Sequence, residues 1–179
     1  MTQIGSVYGQ SLYELAKSED LSHEILEQLR ALSESFAGEP DFLRLLGTHS
    51  LTKQERCAII DDSFRGKLHI YVLNFLKILT EKGYALHFSD CCAAYEQQYN
   101  LDHNILKVTA VTAVALSKEQ SEKLTTKLET ITGKNIALNN RVDASVMGGV
   151  RLDFDGKQMD DTVAHRLESI RKMLSSTVL

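Results

Sequence analysis

The sequence predicts an α+β protein, with a bundle of six helices over residues 1–104 and a small α/β domain over residues 105–179. Apolar residues recur at helical spacing through the first part and alternate at strand spacing in the second. The period changes around residues 100–104, in a short polar stretch. A charged fraction of 25% is that of an ordinary globular chain, and a single proline leaves room for long helices.

The first predicted helix covers about residues 4–17. Its apolar face consists of Ile4, Val7, Tyr8, Leu12 and Leu15, which we expect to pack on the bundle. A strip of small residues lies beside that face, formed by Gly5, Gly9 and Ala16. A glycine inside a helix costs about 1 kcal/mol relative to alanine, so two at a spacing of four need a reason. Close approach of another helix and a late helix start both remain open.

The second helix has five apolar residues in helical register: Leu21, Ile25, Leu29, Leu32 and Phe36. It ends near Gly38, and the residues from Phe42 to Leu46 are predicted to form a short apolar turn. Thr52 and Glu55 have the spacing of a capping box at the start of the fourth helix. A sixth helix, over about residues 89–99, closes the domain.

The fifth helix, over about residues 68–82, is apolar around an unusually large part of its circumference. At about 100° per residue its apolar arc covers roughly 220°, about twice the width that one packed face needs. The arc is made of Leu73, Leu76, Val72, Leu79, Phe75 and Ile78. Either this helix is the centre of the bundle or part of its arc receives a partner.

The second domain reads as strand, helix, strand, strand, helix. Alternation over residues 105–112 predicts the first strand, and Ser117 and Gln120 have the spacing of a capping box for a helix that Gly133 ends. Ile136, Leu138 and Val142 indicate a second strand. A third follows from Val146 to Phe154, then a turn at Asp155-Gly156 and a helix from Val163 capped by Asp160 or Asp161.

Three segments resemble one protein family. They are Val7–Ala16, the helix end Glu81-Lys82-Gly83, and Met147-Gly148-Gly149-Val150 followed by a turn, Asp161, Val163 and Leu167. In this order and spacing they resemble the delta subunit of the F-type ATP synthase, the family of the mitochondrial oligomycin sensitivity-conferring protein. The family favours alanine at the two positions that are Gly9 and Ser11 in this chain. The family also has an arginine directly after the valine that follows the aspartate, whereas the first arginine after Asp161 in this chain is Arg166.

The resemblance implies a non-catalytic stator subunit on the cytoplasmic face of the energy-coupling (cell inner) membrane, supporting proton-coupled ATP synthesis. It implies that residues 1–104 bind the N-terminal helix of an alpha subunit, and that residues 105–179 meet the b-subunit coiled coil. The helix-binding groove lies between helices one and five, which places it here at Tyr8, Gly9, Leu12, Phe75, Ile78 and Leu79.

The residues themselves point away from several other classes of protein. No set of side chains assembles a nucleophile with its base, and Cys57, Cys91 and Cys92 lack metal-ligand spacing, so we expect no catalytic site, metal or cofactor. No basic run indicates nucleic acid. No apolar run approaches the ~20 residues of a membrane span. A small cytoplasmic adaptor or regulatory module with a helix-binding groove is the alternative.

Overall fold

The computed structural model describes residues 2–48, 51–146, 148–154 and 157–160. Across these ranges the chain forms seven α-helices and four β-strands, so the predicted α+β class is confirmed. Contacts divide it into two compact units, Met1–Asn100 and Leu101–Leu179. The first six helices are α1 (Gln3–Ser18), α2 (Ser22–Gly38), α3 (Pro40–Gly47), α4 (Lys53–Phe64), α5 (Ile70–Glu81) and α6 (Phe88–Asp102). A single 3₁₀ turn, Ala85–His87, precedes α6.

Helix α2 contributes one face to the core of the first unit. Four of the five residues that the sequence places on its inner face are buried, namely Ile25, Leu29, Leu32 and Phe36. The Phe36 ring contacts one ring from each of α3, α4 and α6, which are Phe42, Phe64 and Phe88. Each such aromatic pair contributes about 0.5–1.5 kcal/mol beyond its buried area. The aromatic cluster therefore ties four helices to one point.

The ends of α4 and α5 are fixed by local hydrogen bonds. The Glu55 N–H donates to the Thr52 hydroxyl at 3.3 Å, and the Glu55 carboxylate accepts from the Thr52 N–H at 2.8 Å, which confirms the predicted capping box. Helix α5 ends at Gly83, whose φ of 77° suits glycine. The next amide, that of Tyr84, donates to the Leu79 carbonyl at 2.7 Å. The chain thus leaves α5 in a defined direction.

The second unit is built on a four-stranded sheet. Its elements are β1 (Ile105–Thr112), α7 (Lys118–Thr132), β2 (Asn135–Val142), β3 (Val150–Phe154) and β4 (Lys157–Asp160), and the strand order is β2-β1-β3-β4. Strand β1 pairs parallel to β2 and antiparallel to β3. The crossover helix α7 begins at the predicted Ser117 capping box and ends at Gly133, with φ of 64°. The buried core of this sheet contains Leu106, Val108, Ala110 and Leu152.

Several boundaries differ from the sequence-based prediction. The apolar stretch predicted as a turn is helix α3, which Pro40 starts at the first helical position. Strand β3 begins at Val150, and Val146 is buried in the turn before it. Strand β4 was not predicted, and it ends at Asp160, one of the two expected helix caps. The helix predicted from Val163 lies outside the described residues.

The polar stretch over residues 100–104 is mostly helical. Helix α6 continues to Asp102, so only His103 and Asn104 stand between it and β1. Asn104 has a φ of 54°, a left-handed conformation that asparagine tolerates better than most residues. The change of period therefore takes place over two residues.

Candidate partner-binding site

Helix α5 is buried around most of its circumference. The residues within its core-facing arc are Val72, Leu73, Phe75, Leu76, Leu79 and Thr80. Of the two explanations for the wide apolar arc, a central position of α5 in the bundle therefore accounts for nearly all of the arc. Phe75 and Leu79, which the resemblance assigns to a partner groove, pack inside the unit instead.

The edge of that arc is the exception. Ile78 is 45% exposed, and Ile70, two turns earlier, is 55% exposed. Positions eight apart lie about 80° from each other around a helix, so the two residues occupy neighbouring parts of the outer surface. Beside Ile78, the Lys77 ammonium lies 2.6 Å from Asp61 of α4, and their hydrogen bond lowers the pKa of the Asp61 carboxyl. The residue that precedes the exposed Ile78 in the sequence thus takes part in an ion pair.

Helix α1 packs against α6 through its strip of small residues. A Cβ built on Gly5 would lie 2.5 Å from the Cβ of Asp90, and one built on Gly9 would lie 2.7 Å from the Cβ of Ala94. Ordinary carbon contacts are about 3.5–4.0 Å, so neither position has room for a side chain. Of the two explanations left open for these glycines, the close approach of a second helix is correct, since α1 already begins at Gln3. That helix is α6 of the same unit, so Gly9 is not available to a partner.

The start of α1 is also fixed to α6 by polar contacts. The Thr2 hydroxyl donates to the Asp90 carboxylate at 2.7 Å and accepts the Gly5 N–H at 3.2 Å, which caps the helix. The hydrogen bond from Thr2 lowers the pKa of the Asp90 carboxyl. Leu12, also assigned to the groove, is buried in the core on the same inward side of α1. The inward face of α1 is therefore fully used.

The outward side of α1 carries large apolar residues. Val7 is 55% exposed and Leu15 is 42% exposed, so the expectation that both pack on the bundle is wrong. Tyr8 is half-buried, and its ring centroid lies 5.9 Å from that of Tyr84, just beyond the end of α5. This edge-on contact joins α1 to the end of α5.

We name the accessible apolar residues of these two helices the α1/α5 surface, and they are Val7, Tyr8, Leu15, Ile70 and Ile78. Two of the six predicted groove residues, Tyr8 and Ile78, belong to it. The sequence did not identify the other three members as exposed, because a helix with two adjacent apolar stripes does not reveal which stripe faces the core. The sequence did contain an indication of this exposed stripe, because α1 has more apolar residues than one buried face needs.

The second unit has an open cleft beside α7. Its volume is about 790 Å³, and its apolar lining consists of Leu116, Leu124 and Val150. No residue of α7 itself is buried. Among the described residues α7 is the one helix that follows β1, and a helix about 10 Å wide covers less than the face of four strands at ~4.8 Å spacing. Among the described residues, the cleft is a second apolar surface, and its three apolar residues also pack on the core of the sheet.

The model of one protein family, "ATP synthase delta (OSCP) subunit", matches residues 4–174. The chain belongs to this family. Among its relatives is the ATP synthase subunit delta of Alkaliphilus oremlandii, 33% identical over 172 residues that cover 96% of each chain. The corresponding subunit of Clostridioides difficile is 26% identical and covers 98% of this chain and 97% of its own length.

A solved structure shares the fold of this delta-family chain. It is a chain of the Toxoplasma gondii mitochondrial ATP synthase hexamer, with a TM-score of 0.76 over 97% of this chain and 98% of the other. At 16% identity the likeness concerns the fold alone. By family, the protein is a non-catalytic structural subunit of the ATP synthase peripheral stalk, and its partners are other subunits of that complex.

Nothing in the described part of this delta-family chain resembles a reaction centre. Those residues contain no group of three or more His, Cys, Asp or Glu side chains that could hold a metal ion. Burial raises the pKa of the Cys91 thiol to about 11 and that of Cys92 further, so both thiols are protonated and unreactive at neutral pH. Among the helices described, none is long and apolar enough to cross a membrane.

Proposed function

We propose that this chain is the stator subunit that joins the catalytic head of an F-type ATP synthase to its peripheral stalk. The first unit receives the N-terminal helix of an alpha subunit on the α1/α5 surface. The second unit receives the end of the b-subunit coiled coil. Bound at the cytoplasmic face of the energy-coupling membrane, the subunit resists rotor torque and so supports proton-coupled ATP synthesis. Its role is to bind two partners at once, without chemistry of its own.

The observation that carries the first half of the proposal is the exposure of Ile78. Most apolar residues of α5 are buried, so an isoleucine 45% exposed at the edge of the buried arc is surface that the unit does not use for itself. Val7 and Leu15 present the same kind of surface on α1. An amphipathic helix laid on such residues buries its apolar face and leaves its polar face in water.

The contact between Tyr8 and Tyr84 supports one shared site over two separate patches. It holds α1 at the C-terminal end of α5, close in sequence to Ile78. Because Thr2, Gly5 and Gly9 fix α1 on α6, the outward residues of α1 are held in place before a partner arrives. A preorganised surface binds more tightly, since less side-chain and backbone freedom is lost on association.

The test is the substitution Ile78→Asp in the full chain, with binding to a synthetic N-terminal peptide of the alpha subunit measured by calorimetry. A carboxylate placed in the apolar contact should weaken binding at least 30-fold, which corresponds to about 2 kcal/mol. Because Ile78 is half-exposed, the melting temperature should change little. Ile131→Asp is the matched control, since Ile131 is 79% exposed on α7 in the other unit.

Three outcomes are informative. Loss of binding for Ile78→Asp with a retained fold, and normal binding for Ile131→Asp, support the proposal. Normal binding by folded Ile78→Asp removes this residue from the site. Equal loss in both variants indicates a general effect of added charge and contradicts a local site on α5.

The second half of the proposal rests on the cleft beside α7. Leu116, Leu124 and Val150 form its apolar lining, and lysines and glutamates of α7 stand around it. Apolar residues inside a charged border are typical of a site for an amphipathic partner helix. Leu124→Asp should abolish binding of the cytoplasmic part of the b subunit in sedimentation experiments, while leaving the alpha-peptide affinity unchanged. Loss of binding to both the b subunit and the alpha-subunit peptide would instead indicate a folding defect.

A further inference from the structure

Strand β2 forms an open edge of the sheet in the second unit. It pairs with β1 along its whole length of eight residues, from Ile105 with Asn135 to Thr112 with Val142. Among the residues that the structure describes, no strand lies on its other side. The pairing is continuous, without a bulge, and the strand contains no proline. Proteins usually protect such edges with prolines, bulges or charges, because an open edge pairs readily with another chain.

The hydrogen bonds at its ends show which amides point outwards. The Asn135 N–H donates to the Asn104 carbonyl at 3.0 Å, and the Asp143 N–H, just beyond the strand, donates to the Thr112 carbonyl at 2.9 Å. Odd-numbered residues therefore face β1. In a parallel pair the bonding direction alternates along the strand, so even-numbered residues direct their N–H and C=O groups away from it. These residues are Ile136, Leu138, Asn140 and Val142.

One of the four outward amides has an acceptor among the residues that the structure describes. The Ile136 N–H reaches the Glu129 carboxylate of α7 at 3.5 Å, a long contact that agrees with an outward direction. The side chain of Asn140 is engaged with Ala110, Thr112 and Leu116, which holds this part of β2 in register. The edge is therefore rigid, with its bonding groups at fixed spacing.

A groove of about 360 Å³ runs beside this edge, between α7 and β2. Four of its six lining residues carry a hydroxyl or amide group, and the full lining consists of Ser121, Glu122, Thr125, Thr126, Leu138 and Asn140. A strand added to β2 would direct alternate side chains into this groove and the others to the opposite, exposed face. Small or uncharged polar side chains match such a lining, since Ser, Thr and Asn can donate and accept hydrogen bonds.

We propose that β2 receives an extended segment of the b subunit as an added strand, with small or polar side chains turned towards α7. This inference rests on the proposed function, since it takes the stalk as the partner of the second unit. Only an extended backbone can satisfy a row of alternating N–H and C=O groups, which distinguishes this contact from the helix-binding cleft on the other side of α7. The stalk would then be held by backbone pairing as well as by apolar burial.

The experiment is residue-resolved amide hydrogen exchange of the full chain, alone and with a saturating cytoplasmic portion of the b subunit. In the free chain the odd-numbered amides of β2 exchange slowly, and those of Leu138, Asn140 and Val142 exchange fast. Binding should slow these three at least tenfold. The odd-numbered amides act as an internal control, because they are bonded to β1 in both states.

Each result gives a different answer. Binding of the b-subunit portion without slower exchange at the even positions overturns the added strand and leaves the proposed function standing. Absence of binding overturns both. Slower exchange that appears without the b subunit, and increases with the concentration of this chain, identifies a second copy as the occupant and overturns the inference.

A pair of variants adds an independent measurement. Val142 is exposed and its N–H points outwards, so Val142→Pro removes one outward donor without removing a bond to β1. Val142→Ala keeps the N–H and serves as the control. Val142→Pro should weaken b-subunit binding about fivefold, equivalent to one backbone hydrogen bond, and Val142→Ala should not. Equal affinities for the two folded variants would overturn the inference.

Discussion

The contact between α1 and α6 depends on the absence of one methyl group at Gly9. A Cβ at this position would overlap the Cys91 carbonyl oxygen and lie 2.7 Å from the Ala94 Cβ. Restoring an ordinary contact needs a shift of about 1 Å between the two helices. Thr2 and Asp90 oppose that shift, because they bond the start of α1 to α6.

The expected cost of Gly9→Ala follows from two opposing terms. Overpacking of a tight contact typically costs 1–3 kcal/mol and occasionally more, and here one of the atoms met belongs to the backbone. Alanine is about 1 kcal/mol better than glycine inside a helix. Backbone cannot move aside as a flexible side chain can, so the cost lies at the upper end of that range, and we expect a net loss of about 2 kcal/mol in the free energy of unfolding.

Gly38→Ala is the matched control for this substitution. Gly38 ends α2, and a Cβ there meets no described atom within 4 Å. Without overlap the propensity gain remains, so this variant should be neutral or more stable by up to about 1 kcal/mol. Urea denaturation of both variants, followed by far-ultraviolet circular dichroism, measures the difference. A Gly9→Ala variant as stable as Gly38→Ala would refute the close contact between α1 and α6.

Three further predictions concern other parts of the chain. Asn140→Ala removes three hydrogen bonds that join β2 to β1 and to the loop before α7. Calorimetric unfolding should show that this variant loses about 2–3 kcal/mol of stability. The control is Asn139→Ala at an exposed position, which should lose less than about 0.5 kcal/mol. The pKa of Asp90 is lowered, so its stabilising contribution is complete above about pH 4 and is lost as the pH falls further. Asp90→Asn should therefore reduce the acid sensitivity of the melting temperature, and an unchanged profile would contradict the Thr2 contact. Chelator or reductant should leave the melting temperature unchanged, and Cys91 and Cys92 should be alkylated at least tenfold more slowly in the folded chain than in urea.

The parts of the fold that the sequence predicted well are those with a single local cause. The inner face of α2 follows from one apolar stripe, and the capping boxes of α4 and α7 follow from side chains three residues apart. Helix α3 was read as a turn because an eight-residue helix contains too few turns to establish a period. Strand β4 was missed although it pairs with β3 across a short connection, because four residues carry little pattern.

The candidate site also has a part that the sequence predicted and a part that it could not predict. The sequence indicated that α5 has more apolar surface than one face needs, and Ile78 marks where the surplus emerges. It could not distinguish Leu12, which faces the core, from Val7 and Leu15, which do not. That distinction depends on α6, whose backbone takes the glycine side of α1 and so turns the larger residues outwards. A local sequence pattern cannot identify which distant helix lies against α1.

The same contact has a consequence for synthesis. Thr2 and Asp90 are 88 residues apart, so the first helix to leave the ribosome packs on the last helix of its unit. At about 5–20 residues per second, α1 waits roughly 4–18 seconds before α6 has been made. During that interval Gly5 and Gly9 lack the α6 surface on which they pack. A chaperone that recognises short apolar segments would therefore have its longest access to this protein at the N-terminal helix, well before any stator is assembled.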